Sequence, residues 1–147
     1  VLVKVSPDIS FNDLDEMLDI TESHEISGYV IANCAQGMRE GLKTPSLKLE
    51  KIGRGGLSGE PIRQKTADLI RHAYKRLRRP CIIGLGGIDS AEDAYEKIKA
   101  GASLVQVFNG LVYEGPALVK NIKKGLVNLL QKDGFKNISE AVGTDTR

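Results

Sequence analysis

Short apolar runs alternate along the chain with longer segments in which apolar residues recur every three or four positions. The first run, residues 1–5, is rich in β-branched side chains and is closed by Pro7, which favours a buried strand. Ser10 and Asp13 then stand three residues apart in a capping-box-like arrangement, and apolar residues at helical spacing follow them. We therefore predict a strand and then a helix, with the unit ending at Gly28.

The same order of strand and helix recurs three more times. Glycine or proline separates the elements, as is typical of tight connections. The predicted strands are residues 29–31, 81–85 and 104–108, and the helices that follow them begin near Pro61, Ser90 and Pro116.

One connection is much longer than the others. Residues 33–59 are polar and contain glycine, and they separate the second strand from its helix. Loops of this length are uncommon in compact domains and are often functional. We therefore expect residues of this loop to take part in a site.

Continuous apolar strands that alternate with amphipathic helices are typical of a parallel sheet. A Rossmann-type sheet has the same order, but its G-x-G-x-x-G fingerprint does not follow the first strand, and the later Gly84-Leu85-Gly86 has Asp89 where the third glycine belongs. A complete (β/α)8 barrel needs about 250 residues. The pattern therefore predicts half of such a barrel, with residues 1–147 forming part of a single domain, and the start at Val1 inside an apolar run suggests a fragment.

The composition excludes several classes of protein. The net charge is +2 with both signs spread along the chain, which favours neither nucleic acid nor an acidic partner. Two cysteines do not make a disulfide framework, so a reducing compartment is expected, and no apolar run approaches the roughly 18 residues of a membrane span. No metal site is assigned. A basic run near one helix end is explained by the helix dipole, or alternatively by a docking surface; its members are Arg71, Lys75, Arg76, Arg78 and Arg79.

Two polar residues lie at the ends of predicted strands, where barrel enzymes place their active sites. Lys4 stands in an otherwise apolar run, either as a surface lysine at a strand edge or as a cation beside a flavin, whose reduced ring carries negative charge. Asn33 ends the second strand, either as a turn cap or as a ligand of a carboxylate or an imide.

Three glycine-containing turns are candidates for an anion site. Residues 55–59 precede the helix that begins near Pro61, although glycine-rich turns of this kind are common. Gly86-Gly87 and Asn109-Gly110 follow the third and fourth strands. Since the loops after the last two strands of such barrels often bind phosphate, this pair predicts a phosphate site, with ordinary turn glycines as the alternative.

At this point the residues resemble a known family, the class 2 (quinone-dependent) dihydroorotate dehydrogenases. The lysine strand, the Gly-Gly-Leu-Ser-Gly signature and the phosphate-site strand all have counterparts here, in order along the whole chain. The segments that carry the resemblance are residues 1–8, 55–61, 83–88, 94–106, 115–116 and 141–144, of which 94–106 is the most specific.

The resemblance implies a function for the full-length protein. Dihydroorotate would be oxidised to orotate with FMN, and the electrons would pass to a quinone, in the pyrimidine pathway that leads to UMP. By position, the cofactor-binding residues would be Lys4, Ala32, Ser58, Gly59, Gly86, Gly87, Phe108 and Asn109. The substrate-binding residues would be Asn33 and Cys34.

Four positions depart from the family pattern. The family usually has threonine at positions 32 and 34, where this chain has Ala32 and Cys34. It usually has tyrosine and then threonine or serine where this chain has Phe108 and Asn109, although Asn109 can still reach a phosphate. These changes concern substrate affinity and activity and leave the predicted fold unaffected.

The chain is expected to be the C-terminal half of the barrel. The family's catalytic base, a serine, and its membrane-binding helical region belong to the missing N-terminal half, so the chain alone is expected to be inactive. The expected location is the mitochondrial inner membrane, or the cytoplasmic membrane in a bacterium. Two alternatives stay open: a degenerate, non-catalytic half barrel that binds a phosphate ligand, and another flavin barrel of the dihydrouridine synthase or dihydropyrimidine dehydrogenase kind, against which the signature and the tail argue.

Overall fold

A four-stranded parallel sheet organises the chain. The structure is a computed structural model that describes residues 1–77 and 81–146. The strands lie side by side in chain order and all pairs are parallel. This confirms the predicted parallel sheet of four units. The strands are β1 (Leu2–Val5), β2 (Gly28–Ile31), β3 (Cys81–Leu85) and β4 (Leu104–Gln106).

Helices follow each strand, and the four longest are the four that the sequence predicts. Two of them begin at the predicted caps: Ser10 Oγ accepts the Asp13 N–H at 3.1 Å, and Ser90 forms a complete capping box with Asp93. The helices are α1 (Phe11–Glu22), α2 (Ser46–Ile52), α3 (Arg63–Arg76), α4 (Ala91–Ala100), α5 (Asn109–Glu114), α6 (Ala117–Lys132) and α7 (Ile138–Ala141), with 3-10 turns at Glu60–Ile62 and Thr144–Thr146.

The main core lies between one face of the sheet and the helices. Alternate strand residues point to opposite faces, so Val5, Tyr29 and Ile82 pack against helical side chains such as Leu14 and Ile70.

The other face of the sheet is open in the described part of the chain. Leu2 on β1 is 47% exposed and Leu104 on β4 is 57% exposed. An apolar face and two sheet edges of this kind agree with half of a barrel.

Three predictions of secondary structure need correction. Residues 33–59 are not one irregular loop, since they contain α2 and a short antiparallel bridge between Ala35 and Leu57. The fourth strand ends at Gln106, and α5, which the sequence does not predict, begins at Asn109, directly after the apolar pair that follows the strand. The reason is tertiary, since Gln106 pairs with Leu85, the last residue of β3, and the ladder ends with that pair. Gly110 of α5 then packs closely on the loop after β3, where a Cβ would lie 2.7 Å from the Ile88 carbonyl oxygen.

Two further points concern surfaces. Arg78 and Arg79, members of the predicted basic run, lie outside the described residues. Within residues 1–77 and 81–146, every helix is too short or too polar to span a bilayer.

Candidate functional site

A cavity of about 360 Å³ opens at the carboxyl ends of the four strands. Residues from the ends of all four strands, or from the loops after them, line it. All ten residues that the sequence assigned to a site are among them: Lys4, Ala32, Asn33, Cys34, Ser58, Gly59, Gly86, Gly87, Phe108 and Asn109.

The parallel ladder brings these strand ends together. Beyond β2, the Ala32 N–H donates to the Leu85 carbonyl at 3.1 Å, and the Asn33 N–H donates to the Val5 carbonyl at 2.9 Å. Ala32 therefore lies beside the Gly86-Gly87 turn, while Asn33 lies beside the end of the strand that carries Lys4.

Lys4 is the one charged residue among the described residues that line the cavity. From the sequence, Lys4 was predicted to be either a surface lysine at a strand edge or a cation beside a flavin. Lys4 is exposed, because Val3 and Val5 face the helices and Lys4 takes the opposite, open face of the sheet. Its charge makes the cavity attractive to an anion.

The long loop after β2 folds back on its own start. Ala35 and Leu57 exchange two backbone hydrogen bonds, of 2.8 and 2.7 Å. This pairing presses Gly56 against Cys34, so that a Cβ on Gly56 would lie 2.2 Å from the Cys34 Sγ. The contact with Cys34 is therefore a sufficient reason for glycine at position 56, while the prediction that the glycine-rich turn admits a ligand stays a prediction.

Asp8, which the sequence analysis did not single out, anchors that loop. Its carboxylate accepts the backbone N–H groups of Gln36 and Gly37. The hydrogen bond from Gln36 is the main reason why the pKa of Asp8 lies below its ordinary value. The carboxylate thus holds the segment just after Asn33 and Cys34 in place.

A hydrogen bond closes the cavity between two distant loops. The Asn109 Nδ2 donates to the Ser58 Oγ at 2.8 Å, so the first residue of α5 is tied to the loop before α3. The expectation that the Asn109 amide reaches a phosphate stays a prediction, since this bond uses one of the two hydrogens on its nitrogen and leaves the other to donate. Ser58 accepts this bond and keeps its own hydroxyl hydrogen, which can donate to a ligand.

Phe108 lies at the rim of the cavity. It was predicted to end the fourth strand, but it precedes α5 and its side chain is 75% exposed. It still lines the cavity, as the assignment requires.

The Gly86-Gly87 turn has the left-handed backbone that glycine favours, with φ of 105° and 68°. A Cβ on Gly87 would lie 2.6 Å from the Arg63 Cβ and 3.0 Å from the Gly59 carbonyl oxygen. The Arg63 Nε also donates to the Gly87 carbonyl at 2.9 Å. Close packing against the start of α3, rather than the approach of a ligand, therefore requires this glycine.

Charged groups surround the back of that turn. The Arg63 guanidinium pairs with Asp93 at 3.0 Å and with Asp89 at 3.3 Å. Burial opposes ionisation of Asp93, but its hydrogen bonds with Ser90 and Asp89, together with Arg63, hold its pKa below the ordinary value. The hydrogen bond with Asp93 raises the pKa of Asp89. Because the Ser90 hydroxyl and the Asp93 carboxylate occupy the start of α4, that helix end offers little to a ligand.

A buried lysine completes the group, and the sequence analysis missed it. Lys97 is 0% exposed, and its Nζ donates to the Thr66 Oγ1 at 2.7 Å and to the Arg63 carbonyl. Burial lowers its pKa to about 8. A signal was present, since Lys97 stands one residue before Ile98 and three after Ala94, on the apolar stripe of α4.

Comparison with known proteins gives the family. A family model described as dihydroorotate dehydrogenase matches residues 1–130. Dihydroorotate dehydrogenases (quinone) from Synechocystis and Natronomonas pharaonis are 45% and 41% identical over 99% of this chain. A ligand-free DHODH from Eimeria tenella superposes with a TM-score of 0.91 at 32% identity, over 99% of this chain and 40% of that one.

The chain spans about 40% of the length of the curated relatives that it matches. Its four strand-helix units therefore correspond to about half of the eight-unit barrel, which confirms the predicted fold class. The names of the relatives do not favour either alternative, the non-catalytic half barrel or another flavin barrel. The family match, the identities along the whole chain and the superposition agree: the chain belongs to the dihydroorotate dehydrogenase family.

Proposed function

We propose that the full-length gene product oxidises dihydroorotate to orotate in pyrimidine biosynthesis and passes the electrons to a quinone. These 147 residues would supply one side of an FMN site and part of the substrate site. The observation that carries the proposal is the convergence of all ten assigned residues, from four strand ends, on one cavity. Family membership supports the same chemistry, since dihydroorotate dehydrogenases are flavoenzymes.

The residues present fit FMN. The cavity volume of about 360 Å³ lies within the range of small-molecule sites. Its one charged residue in the described part of the chain is a cation, which suits an anionic cofactor. Gly59 adds an open stretch of backbone, with φ of 81° and no atom within 4 Å of the place where a Cβ would stand.

We assign the phosphate to the Gly86-Gly87 turn and the end of β4. Neighbouring parallel strands lie about 4.8 Å apart, so two successive strand ends present backbone N–H groups to one anion. The Ser58 hydroxyl, oriented by Asn109, is a further donor. Backbone donors do not depend on the side chain, which is why asparagine at position 109 is compatible with the site.

Lys4 and Asn33 take roles at the other end of the site. When bound, FMN takes up the electrons and hydrogen of dihydroorotate and delivers the electrons to the quinone. The Lys4 ammonium, on the open face of the sheet, would stabilise the negative charge of the reduced ring. Asn33 would bind the carboxylate or imide of the substrate, since its amide both donates and accepts hydrogen bonds.

Two departures from the family pattern weaken this end of the site. Ala32 and Cys34 stand where hydroxyl side chains are usual, and a thiol is a weaker hydrogen-bond donor than a hydroxyl. We expect weaker substrate binding with FMN binding retained. The catalytic base, a serine, is expected outside these residues, as are the contacts with the membrane that a quinone acceptor implies. The mitochondrial inner membrane or a bacterial cytoplasmic membrane stays the predicted location.

Purification of the full-length gene product tests the proposal directly. We expect bound FMN, identified by its absorbance and by release of free FMN on denaturation, and reduction of a soluble quinone that depends on dihydroorotate. Protein that neither contains FMN nor binds added FMN would overturn the proposal. Bound FMN without reduction by dihydroorotate would overturn the substrate assignment alone.

The substitution Asn33→Ala separates substrate from cofactor. Loss of hydrogen bonds to a charged group costs about 1.5–3 kcal/mol, or roughly ten- to a hundredfold. We expect that rise in the KM for dihydroorotate with FMN content unchanged. Asn121→Ala on the exposed face of α6 is the matched control and should change neither quantity. Loss of FMN in Asn33→Ala would place that side chain at the cofactor instead.

A further inference from the structure

The buried ammonium of Lys97 has no role in the site as described so far. It stands on α4 behind the Gly86-Gly87 turn, on the side away from the cavity, and both oxygen atoms that it bonds are uncharged. One of them, the Thr66 Oγ1, donates to the Arg63 carbonyl at 2.9 Å and lies 3.3 Å from the Gly86 carbonyl oxygen, and the Thr66 side chain packs against Gly86. A single side chain therefore connects Lys97 to the backbone of the turn.

Lys97 adds a positive charge to a group of mainly acidic side chains behind the turn. Two carboxylates, Asp89 and Asp93, share one guanidinium, that of Arg63. The ammonium of Lys97 is a second positive charge in the same cluster. Without it, the guanidinium of Arg63 alone would offset these two carboxylates, and the more negative field behind the turn would weaken the attraction for an anion on the cavity side.

Burying the Lys97 ammonium costs free energy, so packing alone does not explain a lysine at this position. An ammonium without a carboxylate partner is expensive to bury, and an apolar side chain of similar volume would pack there without that penalty. The lysine stands next to the turn that is assigned to phosphate. Its burial is explained if its positive charge favours binding of an anion at that turn.

We propose that Lys97 is a positioning residue for the cofactor phosphate. Its ammonium offsets the second carboxylate of the Asp89–Asp93 pair and holds Thr66 against Gly86, so that the turn accepts an anion. This inference rests on the proposed function, since it takes the bound anion to be the phosphate of FMN. Lys97 acts through its contact with Thr66 and through the electrostatic potential of its charge, and it does not contact the phosphate itself.

Comparison of FMN with riboflavin isolates the phosphate, because riboflavin carries the same ring and ribityl chain without it. The dissociation constants of both flavins for the flavin-free full-length protein are measured by fluorescence titration, in wild type and in Lys97→Met. We expect the dissociation constant of FMN to rise about tenfold, equivalent to about 1.4 kcal/mol. That of riboflavin should change by less than about twofold, since only the anion senses the lost charge.

Lys99→Met is the matched control. It removes the same charge from the same helix, but the Lys99 side chain is 30% exposed and pairs with Asp145 at 3.6 Å. Both flavins should bind this variant as they bind wild type. An equal loss of FMN and riboflavin binding in Lys97→Met, or no loss of either, overturns the inference. Wild type that binds neither flavin overturns the proposed function instead, so the two failures are distinguishable.

The wild-type protein alone provides a second test, which decides the question if Lys97→Met is insoluble. Burial lowers the pKa of Lys97 to about 8, so its charge is present below that pH and is lost above it. The charged groups that act on it are Arg63 and Asp68 from α3 and Asp93 and Glu96 from α4. Side chains of these types ordinarily titrate outside about pH 7 to 9, and a phosphate monoester is fully ionised there.

The preference for FMN over riboflavin should therefore fall as the pH rises from about 7 to about 9.5. A preference that does not change over this range overturns the inference. If Lys97→Met folds, it should show no such dependence.

Discussion

Gly87→Ala is the substitution for which the structure gives the most specific expectation. The added Cβ would lie 2.6 Å from the Cβ and 2.8 Å from the Cα of Arg63. Neither atom is the far end of a flexible side chain, so α3 or the turn itself must shift. The residue also keeps a φ of 68°, in the left-handed region that alanine disfavours.

The expected loss of stability has two parts. A left-handed alanine costs roughly 1–2 kcal/mol relative to glycine. Forcing a methyl group into packed atoms costs about 1–3 kcal/mol more. We therefore expect the free energy of unfolding of Gly87→Ala to fall by about 3 kcal/mol, with a lower affinity for FMN because the turn moves.

Urea denaturation of the full-length protein measures this loss, and the chain offers a matched control. Gly41 has a φ of 73°, and no atom lies within 4 Å of the place where its Cβ would stand. In Gly41→Ala only the left-handed backbone is unfavourable, so the free energy of unfolding should fall by about 1–2 kcal/mol. Equal losses in Gly87→Ala and Gly41→Ala would refute the argument that Arg63 enforces the glycine.

Three other predictions follow from the structure. Lys4→Ala in the full-length protein should slow reduction of the flavin by dihydroorotate in stopped-flow absorbance more than it lowers FMN content; unchanged reduction kinetics would remove Lys4 from the mechanism. Between about pH 8 and 10.5, Lys97 is deprotonated in the folded protein but still binds a proton in the unfolded chain. The free energy of unfolding of wild type should therefore rise with pH over this range, by up to about 3 kcal/mol relative to Lys97→Met. Parallel pH profiles of the two proteins would contradict this. These 147 residues expressed alone should self-associate through the open sheet edges and exposed apolar residues such as Leu2 and Leu104, and a stable compact monomer in sedimentation at high concentration would count against that.

The sequence by itself determined the order of the elements and the edge at which the site lies. Helical and strand periodicities are local, and the caps Ser10 and Ser90 mark helix starts with contacts only three residues apart. Four successive parallel strands then place their carboxyl ends together whatever the details of packing. For this reason the strand-end residues Lys4 and Asn33 and the two glycine turns after β3 and β4 could be placed at one edge from the pattern, whereas the family resemblance supplied the other assigned residues.

Local signals also failed where tertiary contacts overrode them. The apolar pair after Gln106 continues the pattern of a strand, yet β4 ends at Gln106 because its partner there, Leu85, is the last residue of β3. The seven residues of α2 bury no side chain, and their three apolar residues, Leu47, Leu49 and Ile52, are too few and too closely spaced to show a helical period.

Only the tertiary structure decided what each site residue touches. The bond from Asn109 to Ser58 joins residues 51 positions apart, and the bond from Lys97 to Thr66 joins residues 31 positions apart. Spacing along the chain reveals neither pair, since both depend on which loops and helix faces meet after the sheet has formed. The same holds for Gly87, whose place in the sequence suggested an open path for a phosphate. The fold puts Arg63 where its side chain would go, because α3 begins directly against the turn.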